Sequence, residues 1–199
     1  MCARAETRYL EAYLSALPSG LASYPQCQHK AAFYRVFRER VQLEGIAARL
    51  PEPLAQLVRQ PPSPNDWVPE VYTNAIYLAS CDLVLEEARF FRTMYEINQS
   101  LLSSPLYRIM FMVISPSILL SGSGARWAAF HRGSQLVTGK LGPRHGSVDL
   151  TYPRHLFPKL IMELYRWVFQ AAFELVTPRV SVELLSSGET ASRFHVRWR

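Results

Sequence analysis

The period of the hydrophobic residues changes once along this chain, and that change limits the folds open to it. Up to about residue 114, apolar residues recur every three or four positions, the spacing of one face of an α-helix. Beyond that point apolar and polar residues alternate, as they do along a half-buried β-strand. The sequence therefore predicts an α+β fold, with a helical N-terminal half packed with an antiparallel sheet and a long helix in the C-terminal half.

Proline, glycine and serine divide the two halves into elements. The proline-rich stretch 60–65 is expected to be a stiff surface connection, with Asp66 as the cap of the next helix. Gly122 and Gly124 are expected to turn the chain into a first strand that directs Trp127 to one face. The predicted helices are 3–17, 26–40, 46–57, 71–102 in two segments, 105–114 and 156–176, and the predicted strands are 125–130, 135–141, 147–152, 180–184 and 194–198.

Length and composition suit one intracellular domain. A chain of 199 residues with 49% hydrophobic residues can bury a substantial core, so residues 1–199 are predicted to form a single domain. The three cysteines are far apart and form no CxxC pair, which indicates neither a disulfide framework nor a zinc site. Because no signal peptide or membrane-spanning run is recognisable, we expect a cytoplasmic protein.

The sequence carries no motif for catalysis, metal binding or cofactor binding. Gly122-Ser123-Gly124 lacks the lysine and the spacing of a phosphate-binding loop. Neither Ser123 nor Ser134 has the flanking glycines of a hydrolase nucleophile. The five histidines include no HxxxH or HExxH pair. We therefore predict no enzymatic activity, no metal and no cofactor.

The last predicted strand has the most suggestive local pattern. Alternation places Phe194, Val196 and Trp198 on one face and a basic stripe on the other, in a chain whose net charge is +6. The stripe either contacts an anion or a partner protein, or is an ordinary solvated face. A nucleic-acid-binding regulator would use this face together with other arginines. The stripe residues are Arg193, His195 and Arg197, and the additional arginines are Arg126, Arg132 and Arg144.

Several clusters also resemble a known family. They are Leu17-Pro18-x-Gly20, Trp67-Val68-Pro69, Ser115-Pro116, Leu156-Phe157-Pro158 and the closing Phe194-x-Val196-x-Trp198. Their order is similar to that of an uncharacterised family of roughly 200-residue paralogues abundant in myxobacteria. That family in turn resembles, distantly, the ligand-binding fold of heme nitric-oxide sensors, 4-vinyl reductase domains and small Golgi tethering subunits.

The resemblance implies a hydrophobic cavity between the helices and the sheet, able to hold heme, a small molecule or an acyl chain. Tyr107, Phe111 and Trp167 are the predicted lining of this pocket, with ordinary core packing as the alternative for each. The heme sensors use a proximal histidine and a Tyr-x-Ser-x-Arg motif. Here Tyr152-Pro153-Arg154-His155 lacks both the serine and the spacing.

The function predicted from the sequence is a non-enzymatic cytoplasmic sensory or regulatory module. It would act by binding a small apolar ligand or a partner protein, with homodimerisation left open. A nucleic-acid-binding regulator is the alternative from another class, and a reductase of the 4-vinyl type is a third.

Overall fold

The computed structural model describes residues 8–105 and 115–199 and confirms the α+β class. Two 3-10 segments, Gly20–Ala22 and Leu43–Arg49, lie between helices of the first half. The helices are α1 (Arg8–Ala16), α2 (Ala31–Val41), α3 (Glu52–Arg59), α4 (Glu70–Leu83), α5 (Glu87–Leu102), α6 (Pro116–Ser121), α7 (Ser123–Phe130) and α8 (Lys159–Glu174). The strands are β1 (Gln28–Lys30), β2 (Trp67–Pro69), β3 (His131–Arg132), β4 (Gln135–Gly142), β5 (His145–Thr151), β6 (Val180–Ser187) and β7 (Ala191–Trp198).

The helices of the first half are held together by aromatic packing and one tertiary cap. Phe37 of α2 is fully buried, and its ring meets Tyr77 of α4 at 4.9 Å and Phe90 of α5 at 6.0 Å. The Asp82 carboxylate at the end of α4 accepts hydrogen bonds from the backbone N–H groups of Tyr9 and Leu10. These N–H groups lie in the first turn of α1, where no intrahelical acceptor exists, so Asp82 fixes α1 against α4.

A small antiparallel sheet joins the two halves of the chain, in the order β2-β1-β3. Its central strand pairs His29 with Val68 on one side and with His131 on the other. Because β3 follows α7, this pairing brings a histidine of the second half to the start of α4. The sequence predicted a helix over 26–40, but strand β1 precedes helix α2 in this segment. This short strand joins the two halves of the chain.

The larger sheet has four antiparallel strands in the order β4-β5-β7-β6. In the register Val148 lies opposite Phe194, and Val182 opposite Val196, so the apolar members of the alternation share one face. Helix α8 packs on that face, with Phe169 edge-on to Phe194 at 4.9 Å. The strands predicted at 135–141, 147–152, 180–184 and 194–198 and the long helix are confirmed, with shifted ends.

The strand predicted at 125–130 is wrong, because this segment forms helix α7. Trp127 and Phe130 are buried while Ala125 and Ala128 are exposed, which is the three-residue spacing of a helix rather than an alternation. The expectation that Trp127 lies on a strand is therefore wrong as well. Gly133, with φ +77°, follows a strand of only two residues and turns the chain.

Asp66 does not cap α4, contrary to the prediction. Strand β2 intervenes, Pro69 occupies the position before the helix, and the Asp66 carboxylate accepts from the backbone N–H of Ser63 at 2.8 Å. The predicted two-segment helix over 71–102 is confirmed as α4 and α5, which are separated at residues 84–86. Most of the helix predicted at 105–114 lies outside the described residues.

The buried core runs continuously from Leu10 in α1 to Trp198 in β7. Within residues 8–105 and 115–199, no helix has the length and hydropathy needed to cross a membrane.

Candidate functional site

A partly open cavity of about 100 Å³ lies where the helices of both halves meet. Its wall is mostly aromatic and aliphatic, and it is completed by polar side chains from β1, α4, α5, α7, β3 and α8. Pockets of this kind, apolar with a few placed polar groups, are where proteins bind small molecules. The polar lining residues are His29, Asn74, Tyr77, Asn98, Ser123, Arg126, His131 and Tyr165.

Aromatic rings brace the wall on the side of α7 and α8. The Trp127 ring stacks on His131 with centroids 3.7 Å apart and planes 7° from parallel, and it meets Tyr165 edge-on at 5.1 Å. Its indole N–H donates to the Ser134 hydroxyl at 3.0 Å, so the polar atom of the ring is satisfied. Phe33 of α2 meets Phe130 of α7 edge-on at 5.3 Å. Such packing fixes ring positions and gives the cavity a defined shape.

A buried carboxylate lies beside this wall, and we call it and its partners the Glu70 cluster: Glu70, His131, Tyr165 and His29. Glu70 is 1% exposed. Its Oε2 is 3.0 Å from His131 Nδ1, and its Oε1 accepts from the Tyr165 hydroxyl at 3.1 Å. Burial by itself would raise the pKa of Glu70, but the charge and hydrogen bond of His131 outweigh it and the pKa is lowered. Glu70 is therefore an ionised group in the interior.

His29 completes the Glu70 cluster as a neutral ring. It stacks on His131 with centroids 4.7 Å apart, and its Nδ1 has no hydrogen-bond partner among the described residues. Burial, and then the charge of His131, lowers the pKa of His29 to about 4. Glu70 acts in the opposite direction but does not reverse the shift.

Three further buried polar atoms around the cavity lack partners within the described part of the chain. They are Asn74 Oδ1 and Tyr77 Oη on α4 and Asn98 Oδ1 on α5. With His29 Nδ1 they make up all the buried side-chain nitrogen and oxygen atoms found unpaired in residues 8–105 and 115–199, and each belongs to a residue of the cavity wall. Folded proteins rarely bury such atoms without a partner, so their concentration at one cavity makes it the candidate binding site.

The cavity comes closest to the surface beside the start of α7. Ser123 and Arg126 are only half-buried, as are Val168 and Phe169 of α8 across from them. Gly124 lies next to them, and a Cβ at this position would approach the Leu136 carbonyl oxygen to 2.7 Å. Glycine here therefore lets α7 lie directly against β4.

The residues predicted to line a pocket are placed as follows. Trp167 is not among the described side chains around the cavity, and its ring contacts Tyr95 edge-on at 5.9 Å and the Arg166 guanidinium at 4.3 Å. Its neighbours in α8, Val168 and Phe169, do line the cavity. Tyr107 and Phe111 lie outside the described residues.

The predicted basic stripe lies along a groove on the outer face of the larger sheet, away from the cavity. Arg193 forms a two-pronged pair with Asp149, at 2.6 and 3.1 Å, and Arg197 lies 3.7 Å from Glu183. His195 accepts a hydrogen bond from Arg197. The two arginines thus already have acidic partners, which lowers their availability to an external anion. The groove also includes Lys140, Arg144, His145 and Arg199.

Sequence reasoning missed the polar residues of the cavity. Glu70, Asn74 and Tyr77 are spaced four and three residues apart, which places them on one face of α4. Polar residues at this spacing on a mostly apolar helix were the sequence pattern that could have indicated them. His131 had no such signal, because its partner lies 61 positions away.

Solved structures share this architecture. An H-NOX structure from a study of heme distortion matches with a TM-score of 0.59 at 8% identity, covering 85% of this chain and 92% of its own. A mutant of the T. tengcongensis H-NOX matches with a TM-score of 0.56 at 6% identity, covering 84% and 93%. The oxygen complex of an oxygen-binding H-NOX domain related to soluble guanylate cyclases gives 0.56 at 8% identity, covering 84% and 92%.

The fold is that of the H-NOX domains. This confirms the predicted distant similarity to the heme-sensor fold, and identities this low establish the fold alone. No protein-family model matches the sequence, and no curated protein matches it.

The described cavity does not fit heme. Pockets for drug-sized ligands measure about 300–1,000 Å³. The heme macrocycle is at least as large as such a ligand, so a cavity of about 100 Å³ is too small to enclose it. Heme iron also needs an axial ligand such as histidine, but His131 is engaged by Glu70 and stacked between two rings. Arg154, the arginine nearest to the sensors' motif, pairs with Glu189 at 2.7 Å and is not among the described wall residues. In the described parts of the chain, no group of three or more His, Cys, Asp or Glu side chains is arranged to hold a metal ion.

Proposed function

We propose that this protein is a non-enzymatic sensory or regulatory module that binds a small, mainly apolar molecule in its central cavity, without heme. The observation that carries the proposal is the coincidence of an apolar cavity with the unpaired buried polar atoms of residues 8–105 and 115–199. A packed core would have used apolar side chains at these positions, since unpaired buried polar atoms destabilise a fold.

The position of the cavity supports a regulatory role. Its wall includes residues of β1, α4 and α5 from the first half and of α7 and α8 from the second. A ligand there would contact both halves at once and would favour one arrangement of them over others. The Glu70 cluster links the same elements through buried hydrogen bonds.

The proposal is tested by native mass spectrometry of the purified protein and of a variant with a filled cavity. Ala172 lines the cavity, so Ala172→Leu is expected to reduce any bound small-molecule mass. Ala128→Leu on the exposed side of α7 is the matched control and is expected to leave that mass unchanged. Ligand mass that Ala172→Leu does not alter would place the molecule elsewhere and contradict the proposal.

Heme is tested separately by adding hemin and recording the absorbance spectrum. We expect no stoichiometric heme band, because the cavity is too small. A saturable one-to-one complex with a sharp Soret band would overturn the heme-independent part of the proposal.

Partner-protein binding, homodimerisation, a cytoplasmic location and membership of the myxobacterial family stay predictions. So does the arrangement of residues 1–199 as one domain. Sedimentation equilibrium across a range of protein concentrations would test homodimerisation directly.

Nucleic-acid binding is the alternative function, favoured by the basic groove on the larger sheet. The acidic partners of Arg193 and Arg197 weaken it. If it were correct, affinity for a DNA or RNA duplex would fall steeply with salt, because neutralised phosphates release counterions. We expect only weak binding that depends little on Arg193→Gln.

A further inference from the structure

The unpaired atoms of the cavity wall identify the class of its ligand. We propose that the cavity binds a small, uncharged, ring-shaped molecule that donates an O–H or N–H hydrogen bond to Asn74 or Asn98. This inference rests on the proposed function, because it presupposes that the cavity holds a ligand.

The two asparagine amides are oriented so that oxygen, not nitrogen, is left for the ligand. Asn74 Nδ2 donates to the Leu156 carbonyl at 3.0 Å, and Asn98 Nδ2 donates to the Met94 carbonyl at 2.7 Å. Turning either amide would place an oxygen against a carbonyl oxygen. Each Oδ1 is consequently an acceptor with no donor among the described residues, and only a ligand or water that carries a hydrogen can satisfy it.

Tyr77 offers the complementary group. Its hydroxyl is buried without a described partner on the same helical face as Asn74, three residues away. Burial raises the pKa of Tyr77, so the hydroxyl stays protonated and can donate. A ligand oxygen or nitrogen that donates to an asparagine could also accept from Tyr77. Hydroxyl and amino groups both do this.

The charges near the cavity favour a neutral ligand. An anion would be repelled by the ionised Glu70 carboxylate, and the arginine of the wall, Arg126, lies on its half-buried side and already donates to the Leu119 carbonyl at 3.4 Å. A cation would have to share carboxylate oxygens that are already hydrogen-bonded, because Oε1 accepts from Tyr165 and Oε2 is bonded to His131. His29 is neutral and offers only its unpaired Nδ1. Burying an unpaired charge is costly, so the site is built for an uncharged molecule.

Size and wall chemistry favour a single ring. An engineered apolar cavity of about 150 Å³ holds benzene, and this cavity measures about 100 Å³ with half-buried residues at one side. Five- and six-membered rings are therefore the upper size range. The aromatic side chains on the wall would meet such a ring face-on or edge-on, which gives a ring an advantage over an alkyl chain.

Two pairs of probes, matched in size, separate hydrogen bonding from apolar burial. Phenol and pyrrole carry one O–H or N–H donor, whereas toluene and furan lack it. Binding is measured by titration while the side-chain NH₂ resonances of Asn74 and Asn98 are followed by NMR. For at least one pair we expect the donor to bind roughly tenfold to a hundredfold more tightly than its analogue. At saturation the asparagine NH₂ resonances are expected to shift further with the donor probe than with its analogue, because only the donor adds a hydrogen bond to the ring-current effect that both probes cause.

The variant that tests the assignment is Asn74→Leu combined with Asn98→Leu, which removes both acceptors. The Leu156 carbonyl that Asn74 Nδ2 contacts also accepts from the Tyr13 hydroxyl at 2.9 Å, so it keeps a partner in this variant. Asn98 Nδ2 bonds only a carbonyl within its own helix, where the backbone ladder already supplies a donor, so the replacement should be tolerated. We expect the preference for the donor probe to fall to about twofold or less. Tyr34→Phe removes a buried hydroxyl that does not line the cavity, and it should leave the preference unchanged.

The outcomes distinguish this inference from the proposed function. If toluene and furan bind as tightly as phenol and pyrrole, the polar atoms are satisfied by water, and the ligand class is wrong while a ligand cavity stands. If none of the four probes binds, the ligand class is wrong, and the mass spectrometry of Ala172→Leu decides separately whether the cavity holds any ligand. A donor preference that survives the double variant would also overturn the assignment.

Discussion

Removing the hydroxyl of Tyr77 should stabilise the ligand-free protein, the reverse of what losing a buried polar group usually does. The hydroxyl has no partner among the described residues, and an unsatisfied buried polar group costs about 1–3 kcal/mol. Tyr77→Phe keeps the ring and its edge-on contact with Phe37 at 4.9 Å. We therefore expect the free energy of unfolding to rise by about 1 kcal/mol or more.

Tyr34→Phe is the matched comparison and should destabilise the protein. The Tyr34 hydroxyl donates to the Leu57 carbonyl at 2.9 Å. That carbonyl lies in the last turn of α3, and the residue four positions later is Pro61, which has no N–H to offer. Losing the hydroxyl leaves the carbonyl unpaired, at a cost of about 1–3 kcal/mol.

The assay is thermal and urea unfolding of both variants beside the unmodified protein, after any bound ligand has been removed. For a chain of this size each kcal/mol corresponds to a shift of about 2–4 °C in Tm. The two variants should therefore shift Tm in opposite directions. Equal destabilisation by both would show that Tyr77 has a partner in the folded protein, and the reasoning about the unpaired atoms would be refuted.

Three further predictions concern the surroundings of the cavity. His29 takes up a proton near its ordinary pKa of 6.5 in the unfolded chain but only near 4 in the folded chain. The free energy of unfolding should therefore fall by up to about 2 kcal/mol from pH 7 to pH 5 because of this residue. Urea unfolding of His29→Phe should lack this His29-dependent loss. Gly124→Ala, which in an ordinary helix stabilises by about 1 kcal/mol, should here lower Tm, because the new Cβ would approach the Leu136 carbonyl oxygen to 2.7 Å; an unchanged or higher Tm would disprove the close contact. Glu70→Gln should lower the free energy of unfolding by about 3–5 kcal/mol, because it breaks a buried charged pair. Glu163→Gln in the more exposed pair with Arg166 should lower it by about 0–1 kcal/mol. Equal losses for the two variants in chemical denaturation would argue against an ionised Glu70.

The sequence predicted much of the secondary structure, and its failures have local physical causes. The alternation in β5 and β7 and the apolar stripe of α8 gave those elements, because each buries one face against the core. The segment 125–130 was assigned to the wrong class, since a short run of alanines and aromatics suits either period and its burial pattern depends on neighbouring elements. The short strands β1 and β3 carry too few residues for any period to appear.

The sequence by itself determined that helices come first and a sheet with a long helix follows, because burial of apolar side chains imposes a period that can be read along the chain. Only the tertiary structure decided where the site is. Glu70 and His131 are 61 positions apart and become partners because β1 pairs with both β2 and β3. Likewise, Asn74 and Asn98 become unpaired acceptors at one cavity only when α4 and α5 contribute to the same wall. Whether a buried polar atom finds a partner depends on contacts between distant segments, and a pattern of neighbouring residues does not record them.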